Sequence, residues 1–233
     1  MKLTIVGCSP AWPNPGRAHS GYLLEHDGRR LLVDCGPGVL ARLREAEHWP
    51  EIDAIAITHM HLDHCGDLVA WLWGHLHVPP KGTRGPDLWL PPGGRAELAQ
   101  LGSRFDEVFT IREYPAAEPF EAAGFTVTPF AVSHYTQPTW GLRIEAGERR
   151  VAFSADTGPT DALAELAAGA NVFLCEATLD QGEPEPRGHL TAGEAAAAAL
   201  AARAHRLLLV HRPVELETPP GLELAYDGLE LKL

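Results

Sequence analysis

The residues with the clearest chemical potential are His59, His61, Asp63 and His64, which lie together in one short segment. The segment follows residues 52–57, whose apolar run predicts a buried strand that ends just before the first histidine. A strand end followed by a tight loop can direct several side chains toward one point. Histidine and carboxylate together suit zinc and other divalent transition metals. Four candidate ligands packed this closely are too many for one tetrahedral site that also takes ligands from elsewhere in the chain. They therefore predict a pair of ions, each with further ligands from other segments.

Three further polar residues occupy equivalent places in the second half of the chain. His134 follows residues 125–133, Asp156 follows residues 151–155, and His211 follows residues 207–210. Each comes directly after a predicted buried strand. Burying such side chains is costly unless they meet partners, so we expect all three to join the first cluster.

The order of predicted elements indicates an α/β (α+β) fold of two similar βα halves, with the sheets packed together and the helices outside. This is a four-layer αββα sandwich, with the metal site at the strand-end edge between the sheets. Thr191 and Glu194 have the spacing of a helix capping box. The remaining patterns predict strands at residues 3–6, 21–25, 30–34, 52–57, 88–90, 125–130, 140–145, 151–154, 171–175 and 206–210, and helices at residues 39–47, 66–76, 94–101, 161–168 and 191–204.

Length and composition limit the classes of protein that the sequence can encode. The 233 residues fit a single domain, and no apolar run approaches the roughly 18 residues of a membrane span. The N-terminal residues read as a strand and not as a signal peptide, so we expect a cytoplasmic protein. A formal net charge of −12 disfavours a broad basic face for nucleic acid. The four cysteines are far apart and are expected to be reduced, buried thiols.

The order of these residues along the chain resembles that of the metallo-β-lactamase superfamily, and the resemblance covers nearly the whole chain. Within the superfamily, the sequence resembles the phosphodiesterase branch that includes ribonuclease Z. The segments that carry the narrower resemblance are residues 32–36, 58–64, 154–158, 175–178 and 188–191. The resemblance implies that His59, His61 and His134 bind a first ion, that Asp63, His64 and His211 bind a second, and that Asp156 bridges them. The ions implied are zinc, with manganese as the alternative. The family also suggests a homodimer.

Glu176 and His189 distinguish this branch, in which a glutamate orients a histidine beside the ions. Two neighbouring positions depart from the family pattern, because Cys175 replaces a histidine and Leu190 replaces a serine. A carboxylate next to imidazole favours the protonated ring and fixes its orientation. The pair therefore predicts a general acid for the leaving alkoxide of a phosphodiester, while Asp63 accepts a proton from the attacking water.

The substrate is expected to be a small phosphodiester or nucleotide. Ribonuclease Z carries a long basic arm between the third histidine motif and the bridging aspartate, and only residues 135–155 separate His134 from Asp156 here. Processing of RNA 3′ ends stays open, because some relatives borrow an RNA-binding surface from a dimer partner. A thioester or lactone hydrolase would have little need for the Glu176–His189 pair. An iron-dependent oxidoreductase and a metal-stabilised scaffold without catalysis also stay open.

The remaining polar and aromatic residues are predicted to lie at the pocket rim, in the interior or at the surface. Asp34 is expected to orient the cluster through a hydrogen bond and not to bind metal. Trp12 and Tyr135 are candidates for the pocket opening, whereas Trp71, Trp73, His75 and His77 are expected to be packing or rim residues. His19, His26, His48 and His205 are expected at the surface.

Overall fold

Two mixed β-sheets form the centre of the computed structural model, which describes residues 1–47, 49–78 and 85–233. The strands are β1 (Lys2–Gly7), β2 (Gly21–His26), β3 (Arg29–Val33), β4 (Ala54–Ala56), β5 (Asp87–Leu90), β6 (Thr110–Glu113), β7 (Phe120–Ala122), β8 (Phe125–Val132), β9 (Thr139–Ala146), β10 (Arg149–Phe153), β11 (Val172–Glu176), β12 (Leu207–Val210) and β13 (Glu230–Lys232). The helices are α1 (Val39–Ala46), α2 (Leu62–Cys65), α3 (Asp67–His77), α4 (Gly94–Leu101), α5 (Phe105–Val108), α6 (Ala162–Leu166) and α7 (Ala192–Ala201).

The two sheets share one plan of strand directions. The first has the order β13-β1-β2-β3-β4-β5-β6 and the second the order β12-β11-β10-β9-β8-β7. In the first, β1, β2 and β3 pair antiparallel, and β3 through β6 then pair in parallel. In the second, β7 through β10 pair antiparallel, and β10 through β12 pair in parallel. The prediction of two similar halves is therefore confirmed.

Alternation of side chains along the strands divides the interior into three apolar layers. On β11, Val172 and Leu174 lie in the core between the sheets, whereas Phe173 and Cys175 face the core under α6 and α7. On β4, Ala54 and Ala56 face the central core, and Ile55 lies in the core under α1 and α3. Strands that are apolar on both faces must be covered on both sides. The predicted four-layer αββα sandwich is confirmed.

The elements that the sequence did not predict are short or polar. Strands β6, β7 and β13 and helices α2 and α5 were missed, and each spans only three or four residues. The predicted strand at residues 52–57 is shorter, at Ala54–Ala56, and the helix at residues 191–204 ends at Ala201. Its capping box is present, since the Thr191 side chain accepts from the Glu194 amide while the Glu194 side chain accepts from the Thr191 amide.

The C-terminal segment joins one edge of each sheet. Strand β13 pairs with β1 in the first sheet. Just before it, Leu209 of β12 donates its amide to the Glu223 carbonyl at 2.8 Å, and Ala225 donates to the Leu209 carbonyl at 2.9 Å. Asp227 also accepts the Ala18 amide at 2.8 Å, which fixes the loop after β1. The segment therefore holds together two edges of the sandwich that belong to different sheets.

Two further expectations concern the cysteines and the membrane. Cys8, Cys35, Cys65 and Cys175 are all free and buried, as predicted. The longest helix in the described part of the chain, α3, has 11 residues, and none of the described helices has the length and apolarity to cross a membrane.

The packing between the sheets predicts the effect of a core truncation. Leu174→Ala removes a side chain that is 1% exposed in the central core, and we expect it to lower the free energy of unfolding by about 2–5 kcal/mol. Leu200→Ala is the matched control, because Leu200 lies on α7 and is 81% exposed. Urea denaturation of both variants measures the difference, and equal stability of the two would contradict this assignment of the core.

Candidate metal centre

The predicted site residues, His189 excepted, lie at the carboxyl ends of strands, at one edge of the sandwich. His59 through His64 follow β4, His134 follows β8, Asp156 follows β10 and His211 follows β12. Glu176 is the last residue of β11, and His189 lies in the segment that leads into α7. Strands from both sheets thus contribute side chains to the same edge, as the fold prediction expected.

His59, His61 and His134 form the first of two compact groups. The Nε2 atom of His59 lies 3.2 Å from Nδ1 of His61. The Nε2 atom of His134 lies 3.1 Å from the same Nδ1. Three imidazole nitrogens therefore converge on one point, with His59 and His134 buried and His61 open to solvent.

Asp63, His64 and His211 form the second group. Oδ2 of Asp63 lies 3.2 Å from Nε2 of His211 and 3.4 Å from Nε2 of His64. The carboxylate of Asp156 faces both groups. Its Oδ1 is 3.3 Å from His64 Nε2, and its Oδ2 is 3.4 Å from His211 Nε2 and 4.0 Å from His59 Nε2.

The spacing and the unsatisfied atoms of these groups both fit divalent cations. Ligands about 2.0–2.1 Å from a tetrahedral ion are separated by about 3.3 Å, which the contacts within each group match. Nε2 of His64 and Oδ1 of Asp156 are buried without a hydrogen-bond partner among the described residues. Because an orphaned buried polar atom is costly, these two atoms indicate that the cluster is built to bind something that protein groups do not supply.

Hydrogen bonds fix the outer nitrogen of four histidines. Nδ1 of His64 lies 2.6 Å from Oδ2 of Asp34, and Nδ1 of His134 lies 2.7 Å from the Gly188 carbonyl. Nδ1 of His59 and of His211 each face a threonine hydroxyl, Thr58 at 3.1 Å and Thr178 at 2.8 Å. Donation from Nδ1–H to these oxygens leaves each Nε2 as a lone pair directed at the cluster, which is the tautomer that a metal needs. The contact expected for Asp34 is therefore present.

Burial and neighbouring charges set the proton affinities of the cluster. Burial lowers the pKa of His59, His61 and His134, which favours the neutral ring that binds metals. Burial by itself would raise the pKa of Asp63, but hydrogen bonds from the Nε2 atoms of His211 and His64, which can form only when those rings are protonated and hold no ion, lower it overall. Burial likewise opposes ionisation of Asp156, yet the neighbouring histidines hold its pKa well below the usual range. The two carboxylates are thus ionised at neutral pH.

The Glu176–His189 pair lies beside the cluster. Oε1 of Glu176 lies 2.8 Å from Nδ1 of His189, and Glu176 is fully buried. Burial lowers the pKa of His189, but the hydrogen bond and charge of Glu176 outweigh it and raise that pKa to about 9. The His189 ring lies 4.9 Å from the His134 ring and 5.7 Å from the His211 ring, measured between centroids. The ring therefore carries a proton at neutral pH within reach of both groups.

Strained backbone marks the same edge. Asp34, Tyr135, Ala155 and His211 have φ angles of +58°, +47°, +54° and +54°, although none is glycine. Left-handed conformations in such residues cost of order 1–3 kcal/mol each and persist only where surrounding contacts enforce them. Each residue lies just after a strand or beside a cluster residue, so the strain accompanies the sharp turns that direct side chains into the site.

Other expected residues fall both inside and outside the site. The Tyr135 ring lies 5.7 Å from the His189 ring and is 45% exposed, which places it at the rim. Trp71 is fully buried beneath the first sheet, whereas Trp12 and Trp73 are exposed. His75 is buried against the Trp71 carbonyl, and His77 stacks on Trp73. His205 is exposed and His26 is half-buried, whereas His48 lies outside the described residues.

The surface prediction for His19 is wrong. His19 is 8% exposed, and its two ring nitrogens contact the carbonyls of Pro37 and Ala11 at 3.2 and 3.3 Å. It holds the loop after β1 against the segment before α1. A lone histidine between a proline-rich loop and a strand carries no pattern that would indicate such contacts.

Three contributors to the site were not predicted from the sequence. The hydroxyls of Thr58 and Thr178 and the carbonyl of Gly188 contact Nδ1 of cluster histidines. Both threonines lie in segments that carry the family resemblance, so their positions were visible and only their roles were not. The Gly188 contact has no side-chain signal, because a main-chain carbonyl makes it.

Comparison with known proteins agrees with this fold. A family profile described as the beta-lactamase superfamily domain matches residues 29–212. The Mycobacterium leprae protein ML1173 is 36% identical over 226 residues, which cover 91% of this chain and 78% of ML1173. The Bacillus subtilis protein named probable metallo-hydrolase YhfI is 29% identical, covering 91% and 87%. A Mycobacterium bovis protein named ribonuclease Z is 28% identical, covering 75% and 69%. The chain therefore belongs to the beta-lactamase superfamily, and its relatives include ribonuclease Z, as the sequence resemblance implied.

Solved structures show the same fold. The crystal structure of YhfI, described as a metallo-beta-lactamase fold protein from Bacillus subtilis, matches with a TM-score of 0.88 at 23% identity over 99% of both chains. A diphosphatase of the PhnP family matches with a TM-score of 0.82 at 20% identity, over 100% of this chain and 97% of that one. Between β8 and β10 this chain has only β9 and short connections, which leaves no room for an inserted arm.

The cluster predicts that divalent metal stabilises the folded protein. At free zinc of about 100 times the dissociation constant, the linked stabilisation is about 2.7 kcal/mol. For a chain of this size we expect a rise in melting temperature of about 5–10 °C over protein treated with chelator. Asp156→Ala should lose most of the rise, while His205→Ala, at an exposed position, should keep it. Equal melting temperatures with and without zinc or manganese would contradict the prediction.

Proposed function

We propose that the protein is a two-metal phosphodiesterase that acts on a small phosphodiester or nucleotide. The observation that carries the proposal is the buried Glu176–His189 pair, whose protonated ring lies beside two ligand groups that share Asp156. In this proposal His59, His61 and His134 bind one ion, Asp63, His64 and His211 bind the other, and Asp156 bridges them. Zinc suits the histidine-rich set, with manganese as the alternative. Residues 1–233 then act as a single hydrolase domain.

Each group of side chains has a separate part in the reaction. Two bound divalent ions would supply Lewis acidity and a water molecule of lowered pKa. Oδ2 of Asp63 faces Nε2 of His211 and of His64, and the pKa of Asp63 lies below its ordinary range, so one of its oxygens can accept a proton. The bridging carboxylate of Asp156 fixes the distance between the two groups.

His189 supplies what metal ligands alone do not. Its Nδ1–H is engaged by Glu176, so a proton on Nε2 is available for an oxygen at the cluster. A leaving alkoxide is strongly basic, and its protonation favours cleavage of a phosphodiester far more than that of a thioester. The pair therefore favours P–O cleavage over the hydrolysis of a thioester, whose thiolate leaves without a proton.

The surroundings of the cluster favour a small substrate over tRNA. The net charge is −12. The two arginines nearest the cluster in sequence are already engaged: Arg187 binds Glu194 at 2.7 and 2.8 Å, and Arg212 binds the carbonyls of Ala177 and Glu217. Neither guanidinium is free to hold an extended phosphate backbone, which normally dominates binding to nucleic acid.

The similar proteins support hydrolysis of phosphate bonds without choosing the substrate. One relative is named a metallo-hydrolase, one is named ribonuclease Z, and a structural neighbour is described as a diphosphatase. RNA 3′-end processing is the second candidate because of the ribonuclease Z relative. A homodimer that supplies additional RNA-binding surface would be needed for it.

A substrate panel tests the proposal. Purified protein loaded with Zn²⁺ or Mn²⁺ should hydrolyse bis-p-nitrophenyl phosphate and cyclic nucleotides and leave a tRNA precursor and a p-nitrophenyl thioester largely intact. Asp156→Ala should lose activity together with metal. Metal-loaded protein that cleaves none of the phosphodiesters would refute the proposal, and cleavage of the tRNA precursor alone would establish the RNA candidate.

His189→Ala separates acid catalysis from metal binding. We expect it to retain both ions and to lose about 10²–10⁴-fold in kcat on alkyl phosphodiesters. The loss should be smaller with p-nitrophenolate, which leaves without a proton. Metal content by elemental analysis and turnover on the two substrate types provide the test, and unchanged turnover on both would remove the general-acid role.

A further inference from the structure

Asp34 and Thr58 form a buried pair that orients two histidines of the cluster. The Thr58 amide donates to Oδ1 of Asp34 at 2.8 Å, and the Thr58 hydroxyl lies 3.0 and 3.1 Å from the two Asp34 oxygens. The carboxylate accepts from His64 directly, and the hydroxyl accepts from His59. One carboxylate thus fixes the orientation of two imidazole rings, that of His64 directly and that of His59 through the Thr58 hydroxyl.

Glu176 and Thr178 repeat this arrangement in the second half of the fold. The Thr178 amide donates to Oε2 of Glu176 at 3.0 Å, and its hydroxyl lies 2.8 Å from the same oxygen. The carboxylate accepts from His189 directly, and the hydroxyl lies 2.8 Å from Nδ1 of His211. Asp34 and Thr58 follow two neighbouring strands, β3 and β4, whereas Glu176 and Thr178 lie at the end of one strand, β11.

The repeat differs in what the two histidines do. In the first half, His64 and His59 both belong to the ligand groups. In the second half, His211 belongs to a ligand group, but His189 is the proposed acid. Glu176 therefore contacts the proposed acid, His189, directly, and it contacts the metal ligand His211 through the Thr178 hydroxyl. In this way Glu176 connects acid catalysis with metal binding, whereas Asp34 in the first half contacts metal ligands alone.

The direction of the hydrogen bonds follows from proton counting. Nδ1 of His211 must donate if its Nε2 is to bind metal, so the Thr178 oxygen accepts this bond. The single hydroxyl proton can reach Glu176 Oε2 at 2.8 Å or the His211 carbonyl at 3.0 Å. The carboxylate oxygen is nearer and is the stronger acceptor. All three residues are at most 6% exposed, so water does not compete with these contacts.

We propose that Thr178 is a positioning residue that couples metal binding at His211 to the orientation of His189 through their shared partner Glu176. The inference rests on the proposed function, because it assigns His211 to a metal and His189 to acid catalysis. Coupling of this kind is reciprocal. A bound ion that fixes His211 therefore also favours the Thr178 rotamer that holds Glu176 in place for His189.

Removal of the hydroxyl tests the coupling. Thr178→Val keeps the shape of the side chain, leaves Nδ1 of His211 without an acceptor and removes one donor from Glu176. We expect its affinity for Zn²⁺ to fall about 10–100-fold, as for other loss of a partner that orients a metal ligand. Thr178→Ser keeps the hydroxyl and should restore affinity to near the wild-type value. Competition with a chelating dye measures both affinities, and circular dichroism confirms folding.

Thr58→Val is the matched control, because it removes the equivalent hydroxyl in the first half of the fold. Comparison with Thr178→Val separates an effect on metal binding from an effect on His189. Thr58→Val should also weaken Zn²⁺ binding, because it removes the acceptor of His59. With ¹⁵N-labelled histidine, however, the His189 ring signals should shift in Thr178→Val and stay in place in Thr58→Val, both in metal-free protein. A Thr178→Val variant with wild-type Zn²⁺ affinity, or with unmoved His189 signals, would overturn the proposal.

Glu176→Gln provides the reciprocal measurement and serves if Thr178→Val does not fold. A residue that acts only on His189 would not alter metal affinity when substituted, whereas the coupling predicts weaker Zn²⁺ binding by Glu176→Gln. The losses in the double variant should be less than additive. Wild-type affinity in Glu176→Gln would refute the coupling. None of these readouts requires turnover, so inactivity on phosphodiesters would overturn the proposed function and leave this test intact.

Discussion

The hydrogen bonds that fix the outer nitrogen of the buried histidines are the constraint on which the rest of the site depends. An imidazole can present either nitrogen, and a buried ring in the wrong tautomer would place a proton where a metal must bind. Here His59, His64, His134 and His211 each have an oxygen partner at Nδ1. The partners are themselves fixed by strand ends and buried carboxylates, so the geometry is established before any ion arrives.

That constraint also explains why two sheets must be joined at this edge. Backbone hydrogen bonds connect the halves beside the cluster: Trp140 donates to the Thr58 carbonyl at 3.2 Å, and His211 donates to the Cys8 carbonyl at 2.9 Å. On the far side of His211, the segment that ends in β13 connects β1 to β12. Small shifts of one sheet against the other would separate the ligand groups that share Asp156. The inter-sheet bonds therefore stabilise the relative position of cluster side chains that come from distant parts of the chain.

The sequence predicted those parts of the fold and site that rest on local pattern. A ligand-rich motif after an apolar strand, together with His134, Asp156 and His211 after other strands, indicated one cluster because strand ends at the same edge converge. The capping box at Thr191 was predicted for the same reason, since it depends on residues three positions apart. Edge strands such as β6 and β13 were missed, because their polar residues alternate weakly and pairing with a neighbour determines them. The buried place of His19 and the contact of Gly188 depend on tertiary neighbours that no local pattern encodes.

The two positions that depart from the family pattern, 175 and 190, carry side chains that do not face the cluster. Cys175 precedes Glu176 on β11, and alternation along a strand directs their side chains to opposite faces. Cys175 accordingly lies in the core under α7, where burial raises the pKa of its thiol, while Glu176 faces the cluster. Leu190 also packs in that core, and its amide donates to Glu176 Oε2 at 3.3 Å. Any residue with a free backbone N–H can make that contact. The Glu176–His189 pair is thus independent of the identities at positions 175 and 190, and the chemistry attributed to it does not weaken because the surrounding motif has changed.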